Sequence, residues 1–417
     1  MRTLTRSIIA LFTFAAVSIP SARADAVKAG DTLPLWSEGC LDIHHINTGK
    51  GESSLIIMPD GTTMLVDAGD IAAKGGSLLD ALPDDSRLPG EWIARYISRA
   101  TAGTPGRALN YVLLTHFHSD HMGKLTKTSR DSSAGDYKLA GLTEVAEHVA
   151  FEKIIDRGWP DYNFPEPLKG AMMANYRKFV DWQIANKGAK AERFNVGVKD
   201  QIVLRKNPAK YPSFEIRNIA ANGVVWTGAG TNTRNHFPDP KDVAKGAIIE
   251  NNCSIAFRLS YGEFDYFSGG DLSVAGMEFP SSAEPWLDIE RPVALVTGPV
   301  DVMKAGHHGY RDAGSAFFLG TLRPRVIVID TWHIAQPSIN IYRLMKSGKT
   351  WPGPRDIFIT NQPEATRLVT QIDKKGPPPG HIVIRVKPGG DEYYVYVLEE
   401  TNESGRVKSV HGPYKSR

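Results

Sequence analysis

The segment Thr115-His116-Phe117-His118-Ser119-Asp120-His121 sets the strongest limit on what this chain can become. It gathers three imidazoles and a carboxylate directly after the apolar run Tyr111-Val112-Leu113-Leu114. That run is too short for a helix and reads as a buried strand, so the polar cluster falls on the loop at its C-terminal end, where open α/β sheets place their ligands. His116 and His118, two apart on an extended loop, project to one side and offer two neutral nitrogens to one borderline-soft cation. Asp120 and His121 face a neighbouring position, which gives the segment reach to a second cation roughly 3.5–4 Å from the first. Paired cations of this kind turn bound water into hydroxide near neutral pH and hold the attacking and leaving oxygens of a hydrolytic step.

His-x-His-x-Asp-His after an apolar strand resembles the signature of the metallo-β-lactamase superfamily, matched here at His116, His118, Asp120 and His121. Upstream, Leu55 to Gly69 resembles that superfamily's first hairpin and its Asp-x-Gly turn, in which Asp67 would support the metal loop from behind. Downstream, Asn252–Leu259 and Phe264–Phe267 flank the turn residues Tyr261-Gly262-Glu263, a hairpin signal, and the second run delivers Asp271 after Ser268-Gly269-Gly270. The resemblance makes Asp271 the ligand that bridges two cations. Asp301 to Tyr310, with its His307-His308-Gly309 turn, resembles the hydrolase domain of ComEC-type DNA-uptake proteins and secreted phosphorylcholine esterases. By that resemblance His307 completes the second metal site with Asp120 and His121; His308 is read, apart from the resemblance, as the proton donor to the leaving group. His333, ending the apolar run Val326–Ile329 and its polar extension, is a further ligand or a cleft residue.

The chain departs from that pattern in two places. Ala335-Gln336-Pro337 stands where the ComEC-type domains carry Gly-His-Pro, and Gly123-Lys124 stands where a double glycine follows the motif. Between the motif and Asp271 the available histidines are His148, read as an exposed helical residue, and His236, read as a plain loop residue, with lining of the cleft or ligation of the first metal as the alternative. His44 and His45 lie on one strand, where alternation sends them to opposite faces and prevents a shared chelate. His381 begins a late strand and His411 lies in a tail.

Arg2 and Arg6 precede an apolar core from Ile8 to Val17, and Ala22-Arg23-Ala24 offers small residues at cleavage positions, the pattern of a secretory signal peptide cut before Asp25. The apolar run is far short of the roughly 20 residues a membrane span needs, so no membrane anchor is expected after cleavage. Residues 1–24 carry three arginines and no acid, so without them the 49 basic residues fall to 46, equal to the 46 acidic ones. A neutral chain whose basic runs are modest, such as Arg323 with Arg325 or Lys346, Lys349 and Arg355, and read as a solvated face, carries no strong nucleic-acid signature. Export would permit a disulfide, yet Cys40 and Cys253 lie near strands assigned to opposite halves of the fold and are expected as buried free thiols.

The resemblance implies an α/β fold: one αββα metallo-β-lactamase sandwich, a single large domain with insertions. Its halves are expected from about Gly39 to Pro160 and from Phe194 to Pro352. The whole divides into a signal peptide (1–24), a hydrolase domain (25–376) and a C-terminal β-hairpin and tail (377–417), the hairpin flanking Lys387 to Asp391. Met172, Met173, Tyr176, Phe179, Val180, Trp182 and Ile184 predict an amphipathic helix between the halves, packed on the sandwich. The expected activity is a periplasmic or secreted hydrolase with two divalent metal ions, Zn2+ or Mn2+. Its ligands are His116, His118, Asp120, His121, Asp271, His307 and His333, and Asp120 and His308 serve catalysis. A phosphodiester is the first expected substrate, and a carboxylic ester, lactone or β-lactam the alternative. An exported binding protein with a structural metal, signalled by Gln336 at a ligand position, is the reading from another class.

Overall fold

The structure is a computed structural model and describes residues 27–71, 75–274, 284–372 and 375–417. The signal-peptide reading falls on residues outside this set. Two sheets lie face to face. The first takes β1 (Leu41–His45), β2 (Ser54–Ile57), β3 (Thr63–Val66), β4 (Tyr111–Leu114), β5 (Lys153–Asp156) and β6 (Lys190–Arg193). The second takes β7 (Phe214–Ala221), β8 (Val224–Trp226), β9 (Thr233–Asn235), β10 (Ala256–Tyr261), β11 (Phe264–Ser268), β12 (Val302–Lys304), β13 (Val326–Ile329) and β14 (Asp356–Ile359). The C-terminal stretch returns to the first sheet as β15 (His381–Val386), β16 (Glu392–Leu398) and β17 (Val407–Lys415), with β15 antiparallel along β1 from Leu41↔Val386 to His45↔Ile382. The spatial orders are β17-β16-β15-β1-β2-β3-β4-β5-β6 and β14-β13-β12-β11-β10-β7-β8-β9.

Sequence patterns account for the strand types. β4 and β13, parallel to both their neighbours, are buried at every residue, as strands covered on two faces must be. β10 is antiparallel on both sides and alternates, with Arg258 and Ser260 half-buried between buried Phe257, Leu259 and Tyr261. The β10–β11 hairpin turns at Gly262-Glu263, as the sequence predicts.

The inner faces share one core, in which Leu41, Ile43, Tyr111, Phe257, Val328 and Ile384 meet. Each such side chain contributes roughly 1.5–3 kcal/mol of apolar burial. Outside the first sheet lie α1 (Pro89–Ala100), α2 (Ser119–Met122), α3 (Leu142–His148) and α4 (Ala171–Lys187). In α4 Met173, Tyr176, Phe179 and Val180 point into the core beneath it, so the predicted helix packs on the sandwich. Outside the second sheet lie α5 (Glu290–Thr297), α6 (Ala316–Leu322), α7 (Ile339–Lys346) and α8 (Glu364–Thr370). Cys40 and Cys253 are buried and free. His44 and His45 do separate: His44 Nδ1 lies 3.0 Å from the Tyr96 hydroxyl on the outer face, beside a cavity of about 200 Å³, and His45 Nδ1 lies 2.9 Å from Asp330 Oδ2 between the sheets. Among the described residues no helix is long and apolar enough to cross a membrane.

Candidate metal centre

Four strand ends of the two sheets build one buried cluster. β3 ends at Val66, and Asp67 follows in the left-handed region at φ 60°. Its Oδ1 accepts from the Thr115 amide at 2.7 Å, and its Oδ2 accepts from the Thr115 hydroxyl at 2.7 Å and lies 2.7 Å from His121 Nδ1. One side chain thus ties the end of β3 to the loop after β4. The loop backbone is fixed too: the Glu52 amide donates to Asp120 O (2.8 Å), Ala68 to His121 O (2.8 Å) and Asp70 to Ser119 O (3.1 Å). Gly69 makes this approach possible, since a Cβ there would collide with Asp120 O. From the other side Glu250 Oε1 accepts from the Phe117 amide at 2.8 Å, and Glu250 is held by Arg157, whose guanidinium lies 4.8 Å from the Phe117 ring centre.

Asp271, on the turn after β11, is the meeting point. Its Oδ2 lies 3.2 Å from His121 Nε2, 3.4 Å from His308 Nε2 and 3.9 Å from both His116 Nε2 and His307 Nε2. Asp120 Oδ2 lies 3.1 Å from His308 Nε2 and 3.7 Å from His121 Nε2, and His116 Nε2 lies 3.1 Å from Nδ1 of the exposed His118. One ligand atom each from Glu52, His121, Asp271 and His308 falls within 4.8 Å of the others. Both Asp271 oxygens and His121 Nε2 are buried without a hydrogen-bond partner, which is costly unless a cation satisfies them.

The electrostatics point the same way. Burial opposes charge throughout the cluster. Even so, Asp271, Asp67 and Asp120 hold His121 well above the usual imidazole range, and Asp271 and Asp120 bring His308 up to about 10. Burial alone would raise Asp120, but His121 and His308 bring it down to about 2; Asp271 is likewise held well below the usual carboxylate range. The carboxylates therefore demand positive charge between them, while burial keeps His116 neutral and a ready nitrogen donor. Imidazole and carboxylate donors on a buried floor fit zinc or manganese.

Two placements stand apart from the sequence expectations. His307 and His308 both adopt left-handed backbone (φ 42° and 54°), and this turn sends His308, not His307, inward to Asp120 and Asp271. His308 Nδ1 donates to Asp330 O at 3.0 Å, which leaves Nε2 free to ligate. His307 stands at the rim, 20% exposed, with Nδ1 2.6 Å from Asp312 and Nε2 3.3 Å from Asn251. His333 is half-buried and turns back on its own loop: its Nδ1 accepts from the Ala335 amide, and none of its described contacts reaches the cluster. Gln336 accepts from the Trp332 and His333 amides and so closes that turn. His148 is exposed on α3, as expected, and His236 is a half-buried loop residue.

Glu52 and Lys304 were missed. The signal lay in the sequence: a lysine that closes the apolar strand Val302-Met303-Lys304 needs a buried acid as partner. Among the described residues one other such group exists, Glu91 with Glu144 and His148, and Arg87 and Arg130 already neutralise its carboxylates.

Residues 47–158 match the metallo-β-lactamase superfamily model. The matched segment contains Asp67 and the whole of His116 to His121. The two facing sheets with helices on both outer sides are consistent with the metallo-β-lactamase fold. No curated protein matches the chain. Among solved structures, human tRNase Z, short form, is similar at 9% identity and a TM-score of 0.31, over 69% of this chain and 91% of that one.

Proposed function

We propose that the chain is a hydrolase dependent on two divalent cations, acting on phosphodiesters. The observation that carries the hydrolase reading is the convergence of His116, His121, His308, Asp120 and Asp271 on one buried point, with Asp271 Oδ2 and His121 Nε2 left without hydrogen-bond partners. His116 and His118 would hold one cation, and Asp120, His121 and His308 the other, with Asp271 shared. When bound, such a pair supplies Lewis acidity and activates water near neutral pH. The chain's own groups do the rest. Asp67 fixes the His121 tautomer so that Nε2 stays free, Asp120 orients the attacking water, and His307 at the rim, backed by Asp312, hands a proton to the leaving group.

The phosphodiester choice rests on the likeness of Asp301 to Tyr310 to the ComEC-type and phosphorylcholine esterase domains. The Arg2, Arg6 and Ile8–Val17 pattern supports export. The binding-protein reading drew on Gln336 as a lost ligand, and Gln336 is occupied inside its own turn. The test is hydrolysis of a chromogenic phosphodiester beside a carboxylic ester and a β-lactam, with zinc or manganese supplied and Asp120→Ala as the blank. Phosphodiester turnover absent from the variant is expected; turnover of the ester or lactam alone would move the substrate class, and none at all would remove the enzyme reading.

A further inference from the structure

Beneath the cluster lies a buried ion pair that the proposed chemistry does not use. Lys304, the last residue of β12, has no exposed side-chain surface, and Glu52 is equally buried. Burying a lysine ammonium costs several kcal/mol unless its partners are well placed. Here Nζ donates to Gly270 O at 2.8 Å, lies 2.5 Å from Glu52 Oε2 and lies 3.5 Å from Asp271 Oδ1. Glu52 in turn touches two more parts of the cluster: Oε2 lies 3.5 Å from His308 Nδ1, and its backbone amide holds Asp120 O.

The consequence falls on Asp271. Its Oδ1 faces the lysine, while its Oδ2 faces the histidines. A carboxylate torsion is broad and roughly two-fold, so without an anchor on one oxygen the group rotates easily. We infer that Lys304, with Glu52 as its counter-charge, is a positioning residue that anchors Asp271 Oδ1 and thereby presents the single atom Oδ2 to both cations. This rests on the two-cation reading above.

The pair can be removed without leaving a lone buried charge, because neutral replacement of both partners of a buried ion pair is often tolerated. The test is the double variant Glu52→Gln/Lys304→Met beside Lys304→Met and wild type. Each is followed by thermal melting and by metal content after equilibrium dialysis against zinc, with the visible spectrum of the cobalt-loaded form reporting ligand geometry. The expected result is a double variant that melts cooperatively near wild type yet binds its second cation 10- to 100-fold more weakly, with an altered cobalt spectrum. Lys304→Met alone, which strands Glu52, should melt lower than the double variant. A double variant with wild-type affinity for both cations overturns the inference, and so does one that fails to fold, since the pair would then act on stability alone. Wild type that takes up no second cation would instead defeat the two-cation reading itself.

Discussion

Asp67→Asn isolates what a single hydrogen-bond acceptor does for the metal loop. The substitution keeps the volume, and asparagine tolerates the left-handed backbone found at this position. The carboxylate serves three donors, the Thr115 amide on Oδ1 and the Thr115 hydroxyl and His121 Nδ1 on Oδ2. An amide cannot replace it in either orientation. With its NH2 toward Thr115, two donors face each other and a buried amide is left unsatisfied, at about 1–3 kcal/mol. With its NH2 toward His121, Nδ1 must become the acceptor, the ring proton moves to Nε2, and the atom aimed at Asp271 carries a hydrogen where a cation would bind. Loss of such an outer partner costs about 10–100-fold in metal affinity, or roughly 1.4–2.7 kcal/mol. The assay is competition for zinc against a chromogenic chelator, with thermal melting to follow the first outcome. A variant that melts as wild type and holds zinc as tightly would refute the tautomer argument.

Two further outcomes follow from the geometry. His308→Ala should release one of two cations, whereas His307→Ala should keep both and slow turnover by about 10²–10⁴-fold, the usual yield of a positioned acid; metal analysis beside kcat distinguishes them, and the reverse pattern would restore His307 as the ligand. Glu290 is buried, accepts from the Gly314 and Ser315 amides, and is pushed by burial up to about 7 from 4.5. Between those values the folded protein keeps a proton the unfolded chain has released, so stability falls as pH rises through that window, by up to about 3 kcal/mol. Glu290→Gln should flatten the melting temperature between pH 5 and pH 8; an unchanged slope would assign the effect elsewhere.

The parts of the site carried by local pattern were legible, and those carried by long-range pairing were not. Tyr111–Leu114 ends in a loop whose residue types state their chemistry, and His116, His121 and Asp120 are buried together as that loop implies. The β10–β11 hairpin that delivers Asp271 was readable from its turn residues. The relative placement of His307 and His308 was not readable, because adjacent residues differ only in where the backbone sends them, and two successive left-handed residues bring His308 nearer to Asp120 and Asp271. The apolar strand before His333 stops at Ile329, and Gln336 closes the turn in which His333 lies. Glu52 and Lys304 neutralise each other from distant segments, and no local pattern records that meeting.

The seam between β1 and β15 has a consequence for how the molecule is made. Asp42 and Arg385 pair across it at 2.6 Å although 343 positions separate them. During synthesis the first strand must wait, one edge bare, for a partner strand 343 positions further on. The loop that closes between them is long, so its entropy is paid late and folding should be slow, with an open edge in the interval that invites pairing with other chains. A truncation near residue 380 would spare every proposed ligand and still leave the first sheet without the strand that covers β1, so the chemistry depends on the arrival of a segment that takes no part in it.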